Sequence, residues 1–139
     1  FFGFSIESVQ LPESVEKIGY MAFQNCKSLG SVEIKGTVKS IGSHAFDGCS
    51  ALSSINLPEG LERIESYAFL SCSSLSTITI PTTVKFIGTL AFNGSNVKDF
   101  TFNGTNAEWI AISKEDLWST GNYYVHCTDG VYLNGHTKQ

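Results

Sequence analysis

A chain of 139 residues with 42% apolar residues, only 16% charged residues and a net charge of −4 is one domain's worth of polypeptide. It has no Lys/Arg cluster to neutralise phosphates. This argues against a nucleic-acid partner and against polybasic attraction to anionic membranes. No apolar run approaches the ~18 residues of a membrane span, so no membrane insertion is expected of this segment.

Residues 1 to 5, with Phe1, Phe2 and Phe4, read as the remnant of a preceding unit or a cover for an open end. With no start Met, signal peptide or anchor, the chain is expected to be a segment of a longer protein. From Ile6 onward one pattern recurs. Ile6, Leu29, Leu52, Leu75 and Val97 are equivalent, at spacings of 23, 23, 23 and 22 residues. Self-similarity at a period of roughly 20 to 50 residues marks a stacked array, in which each unit buries its apolar face against its neighbours.

Two apolar columns follow each leading residue: Val9/Val32/Ile55/Ile78/Phe100 and Leu11/Ile34/Leu57/Ile80/Phe102. They are two residues apart, the spacing of side chains on one face of a strand. One short strand per unit is expected, paired in parallel, with five rungs giving a ladder of about 20 Å. Pro12, Pro58 and Pro81 follow three of these strands, where a missing N–H costs little. The return leg is columnar too: Ile18/Ile41/Ile64/Ile87, Ala22/Ala45/Ala68/Ala91 and Phe23/Phe46/Phe69/Phe92. The four-residue step from Ile18 to Ala22 suits one helical face, so one to three turns of α- or 3₁₀-helix are expected there.

The pattern Leu-x-x-Ile-x-Leu-Pro-x-x-Leu-x-x-Ile-Gly-x-x-Ala-Phe-x-x-Cys, over residues 6 to 102, closely resembles the BspA-type leucine-rich repeats. The resemblance implies a curved solenoid on secreted or surface proteins, mostly bacterial, often linked to adhesion. The expected fold is α/β: a right-handed leucine-rich-repeat solenoid with a parallel sheet on the concave face, short helices on the convex face and a C-terminal cap. Repeats would occupy 1–102, and a helix and β-hairpin cap 103–139.

In that last segment Thr105 and Glu108 form a capping box, expected to start a helix that turns Trp109, Ile110 and Ile112 inward. Ser113 with Asp116 could start a second turn bearing Leu117 and Trp118. Asp129-Gly130, between two runs of strand-forming residues, signals a hairpin. The two tryptophans are expected to cover Phe100 and Phe102. Gly-Thr-x-x-x-Trp with a later Val-x-Cys-x-Asp-Gly also resembles the segment that ends many BspA-type arrays.

No catalytic constellation is visible: His44, His126 and His136 are scattered, and no nucleophile elbow, carboxylate pair or phosphate loop occurs. No cofactor and no metal are expected. Cys26, Cys49 and Cys72 share a column 23 residues apart, with Ser95 in the fourth place and Cys127 outside. Metal sites favour close Cys pairs, which are absent. Adjacent rungs would permit a disulfide, but buried free thiols account better for an unpaired third member. Asn93-Gly-Ser and Asn103-Gly-Thr read as turns rather than glycan acceptors.

The outward strand face offers Ser8/Ser31/Ser54/Thr77/Asp99 and Gln10/Glu33/Asn56/Thr79/Thr101 as a partner-binding row. A ridge of Met21, Tyr67 and Leu90 on the return leg is a second stripe. The expectation is a monomeric, non-catalytic binding or adhesion module, extracellular or at the cell surface, for a protein or glycan partner. The alternative is a passive spacer that displays another domain.

Overall fold

Alternating apolar and polar residues can form a half-buried strand only if a neighbour covers the apolar face, and here the neighbour is the next repeat. The computed structural model describes residues 1–119, 121–133 and the backbone of 136–138. Each repeat supplies two strands. In chain order they are β1 (Ser8–Leu11), β2 (Lys17–Ile18), β3 (Ser31–Ile34), β4 (Ser40–Ile41), β5 (Ser54–Ile55), β6 (Arg63–Ile64), β7 (Thr77–Ile80), β8 (Phe86–Ile87) and β9 (Asp99–Phe102). Then come α1 (Asn106–Ala111), β10 (Ser113–Lys114), β11 (Tyr124–Cys127), β12 (Gly130–Leu133) and β13 (His136–Lys138).

The first ladder runs parallel in the expected register, Val9↔Val32↔Ile55 and Ile78↔Phe100, and β11 continues it with Val125↔Phe100. It is not continuous. β1-β3-β5 and β7-β9-β11 belong to separate sheets, and no backbone hydrogen bond joins β5 to β7. β12 and β13 complete the second sheet in antiparallel fashion.

The helices expected on the return leg are absent, and a second parallel ladder, β2-β4-β6-β8-β10, takes their place. The hydrogen bonds explain why. Met21, Phe23 and Asn25 donate to Ser43, Ala45 and Asp47 of the next repeat, whereas Ala22, Gln24 and Cys26 donate three residues back within the same turn. Alternate N–H groups therefore point across the array, which no helix allows. A four-residue spacing of Ile and Ala suits this tight turn as well as it suits a helix.

Each turn needs two residues at positive φ. One set is Gly3, Asn25, Gly48, Ser71, Gly94 and Gly121; the other is Met21, His44, Tyr67, Leu90 and Leu117. Both sets run past Phe102, so the turn geometry of the repeat persists after the sequence pattern has faded. Ser113 and Lys114 accordingly pair as β10 with Phe86 and Ile87, where a second helical turn was expected. Leu117 is 70% exposed at φ 57, so its bulk gains little by burial while its backbone is strained. Leu117→Gly is expected to raise stability by about 1 kcal/mol, read as a higher urea midpoint at unchanged slope.

Inside lies a phenylalanine spine. Phe1, Phe23, Phe46, Phe69 and Phe92 stack with successive centroid distances of 5.5, 5.4, 5.3 and 5.1 Å and interplanar angles of 5–7° or 9°. Near-parallel rings more than 5 Å apart are offset, the favoured aromatic geometry. Small alanines at 45, 68 and 91 are fully buried beside them. Gly88 lets the rungs close up, since a Cβ there would lie 2.4 Å from the Ser66 nitrogen.

At the far end the capping box forms as expected: Thr105 Oγ1 accepts from Glu108 N at 3.2 Å, and Glu108 Oε2 accepts from Thr105 N at 2.7 Å. Trp109 and Ile112 are buried, but Ile110 is exposed, because residues three apart share a helix face and the residue between does not. Trp118 packs tilted on Phe100 at 5.1 Å and edge-on to Phe92, and Trp109 edge-on to Phe102 at 5.4 Å. The hairpin turns at Thr128-Asp129, with Gly130 paired to Cys127 as the first residue of β12.

Candidate functional site

Because the apolar columns face the core, Ser8, Gln10, Ser31, Glu33, Ser54, Asn56, Thr77, Thr79, Asp99 and Thr101 must face outward, and all ten are exposed. The register places Ser8, Ser31 and Ser54 in one file, with Gln10 beside Glu33. Across the opening, Thr77 aligns with Asp99 and Thr79 with Thr101. The row is thus brought together as two halves rather than one strip.

Two further members were missed. β11 sets Tyr124 opposite Asp99 and His126 opposite Thr101, and His126 Nε2 lies 2.8 Å from Asp99 Oδ1. The signal was Val125, which continues the buried Val32/Ile78/Phe100 column; alternation then turns its neighbours outward. The insertion between Phe102 and Ser113 hid that continuity.

A cleft of about 210 Å³ sits at the opening, lined by residues of β5 and β7 with Asn56 and Thr101. Beside it a larger trough of about 510 Å³ runs back over β3 to β1, sharing Ser54 and Asn56. The side chains of both are Ser, Thr, Asn, Gln and aliphatic groups, with Glu33 the one carboxylate.

The histidines do not converge. His44 Nδ1 is 2.8 Å from Asp47 Oδ2, and its ring stacks on Tyr67 at 4.6 Å. His126 is on the opposite ladder, and the side chain of His136 lies outside the described residues. Among the described residues there is no group of three or more His, Cys, Asp or Glu that could hold a metal ion. No helix among them is long and apolar enough to cross a membrane.

Of the return-leg ridge, Tyr67 stacks face-on on His44, which in turn lies edge-on to Tyr20.

The four cysteines are free. Cys26, Cys49 and Cys72 are buried, and their thiols donate to the carbonyls of Phe1, Phe23 and Phe46 at 2.8, 3.0 and 3.1 Å. Ser95, in the fourth place, donates instead to Phe92 O of its own turn. Burial, with Cys26 as a lesser contributor, pushes the Cys49 thiol up to about 12. Burial raises Cys72 as well.

An unfolded thiol ionises near ~8.5, so the folded chain holds more protons between that pH and 12. Stability is therefore full below pH ~8.5 and falls as pH rises, by up to ~1.4 kcal/mol per unit for each of Cys49 and Cys72. At pH 8 a thiol reagent is expected to modify half-buried Cys127 first, and all four only in denaturant. Fewer than four titratable thiols in denaturant would reveal a disulfide.

Stacked units of about 23 residues, with two parallel ladders enclosing an aromatic spine, define a leucine-rich-repeat solenoid. The chain belongs to the BspA type leucine rich repeat region family, which matches residues 1–113 in six copies. The match begins at residue 1 and runs past Phe102 to residue 113, beyond the repeats expected over 1–102.

A leucine-rich repeat protein from Bacteroides ovatus is 36% identical with a TM-score of 0.65, covering 68% of this chain and 27% of its own. The T. pallidum leucine rich repeat protein is 31% identical with a TM-score of 0.67, covering 78% and 50%. A leucine rich cell surface protein from Faecalibacterium prausnitzii is 26% identical with a TM-score of 0.64, covering 84% and 36%. The chain thus spans between about a quarter and half of these relatives' lengths. No curated protein matches it.

Proposed function

We propose that this segment is a non-catalytic binding or adhesion module of a surface or secreted protein, which holds a protein or glycan partner on the outward strand face. The observation that carries this is the row itself: ten exposed polar side chains, in register within each of two sheets whose other face is the core. The family is a repeat scaffold, and one structural relative is described as a cell surface protein. Within this reading residues 103–139 close the array, with Trp109 and Trp118 keeping water off Phe102 and Phe100.

The row lacks the Trp and Arg anchors that dominate tight protein interfaces. Single contacts are therefore weak, and repetition along a longer array supplies avidity. The test replaces Ser31, Asn56 and Thr79 together by Lys and measures retention on immobilised host glycoproteins. Retention is expected to fall at least tenfold, with the thermal midpoint little changed because the three sites are exposed. Unchanged retention removes the row from consideration.

A further inference from the structure

We propose that the opening between β5 and β7 is a subsite for a neutral glycan, which lies across the strands and hydrogen-bonds to Ser54, Asn56, Thr77, Thr79 and Thr101. This rests on the reading of the strand face as the binding surface, and it assigns the ligand class and the place of tightest contact.

Three observations converge. First, the ladder is broken only on this side. β6 and β8 remain paired directly behind it, Arg63 with Phe86 and Ile64 with Ile87, so the opening is held by a closed second ladder. The facing edges of β5 and β7 therefore present main-chain N–H and C=O groups without strand partners, and such groups need partners from ligand or water.

Second, the lining suits hydroxyl groups. Ser and Thr hydroxyls both donate and accept, and Asn56 supplies one acceptor and two donors. No charged side chain lines the cleft, so nothing there compensates a carboxylate, sulfate or phosphate. Third, the width excludes a peptide strand. An inserted strand needs β5 and β7 at roughly twice ~4.8 Å, whereas the two strands keep Cα pairs within 8 Å. A chain of pyranose rings needs no strand slot: it can lie on the face, each ring advancing by about one rung, with its hydroxyls reaching into the opening. The adjoining trough over β3 and β1 would take the rings that follow.

The experiment measures equilibrium binding of hexasaccharides of glucose, mannose, galactose and N-acetylglucosamine, with a polyuronic hexasaccharide as the charged comparison. At least one neutral probe is expected to bind, and the uronic probe at least tenfold more weakly. Asn56→Ala with Thr79→Val should weaken the neutral probe about tenfold or more, by leaving sugar hydroxyls unpaired. Lys85→Ala, an exposed side chain just before β8 on the opposite ladder, should leave it within twofold.

Ser54→Cys with Thr77→Cys offers a reversible check, since a disulfide draws the two Cα atoms to ~5.5 Å and closes the slot. Binding should vanish on oxidation and return on reduction to a level below wild type, because the Ser54 and Thr77 hydroxyls are replaced by weakly hydrogen-bonding thiols. If none of the neutral probes binds, the glycan assignment is overturned, while the Lys-substituted row still decides the broader reading through glycoprotein retention. If a neutral probe binds equally to wild type and to the Asn56/Thr79 variant, the subsite is overturned and the contact lies elsewhere on the row.

Discussion

Phe69→Ala is expected to cost ~3–5 kcal/mol, a large share of the total stability of a domain this size. Phe69 is fully buried and stacked on both faces, with Phe46 at 5.3 Å and Phe92 at 5.1 Å. In a linear array each unit is stabilised by its own fold and by its two neighbours. Truncation in the middle therefore weakens two interfaces and leaves a cavity whose collapse is resisted by the continuous second ladder, β2-β4-β6-β8-β10. The position along the array supplies the control. Phe1 stacks on one partner only and is 68% exposed, so Phe1→Ala should stay within about 0.5–1 kcal/mol. Urea denaturation of both variants reads the contrast. Equal losses, or a loss below ~1 kcal/mol at Phe69, would mean that the rings do not act as a continuous spine.

The spine and the first ladder were legible because both are carried by columns of one residue type at a fixed period. Val32, Ile55 and Ile78, or Phe46, Phe69 and Phe92, allow only one stacking in which equals meet equals. The return leg was not legible, for a physical reason. Ile18 and Ala22 record which side chains face inward, but they do not record whether the intervening N–H groups bond within the turn or across to the next repeat. Both solutions bury the same columns.

Positive φ was half legible. Asn25, Gly48 and Gly94 are residue types that favour that conformation, but Met21, Tyr67 and Leu90 are not, and only their neighbours' constraints hold them there. The ten residues of the candidate row could be read from alternation alone. Their division by the opening at β5 could not, since Ser54-Ile55-Asn56-Leu57 repeats the pattern of its neighbours. Tyr124 and His126 lay beyond an insertion that broke the count.

The last rung offers the sharpest trial of column logic. Phe23, Phe46, Phe69 and Phe92 donate their backbone N–H to Ala45, Ala68, Ala91 and Trp118 respectively, so Trp118 stands where every other repeat has alanine. The following place, phenylalanine elsewhere, is Ser119, which is buried and whose hydroxyl has no hydrogen-bond partner among the described residues. One large ring at 118 thus does the filling that a small–large pair does elsewhere. It meets Phe92, Phe100, Trp109 and Tyr123 at centroid distances of 6.3, 5.1, 5.6 and 4.8 Å.

Trp118→Ala restores the residue typical of the column, yet it should cost ~3–5 kcal/mol, because no ring remains to cover Phe92 and Phe100. Adding Ser119→Phe rebuilds the Ala–Phe pair and removes a buried hydroxyl that has no hydrogen-bond partner among the described residues. The double variant should therefore recover at least half of the loss, a coupling that non-additivity in a double-mutant cycle reads directly. Ser119→Phe alone, with Trp118 still in place, should instead destabilise by about 1–3 kcal/mol through overpacking. Additive losses in the double variant would show that this end of the chain is closed by packing of its own rather than by a sixth turn of the repeat.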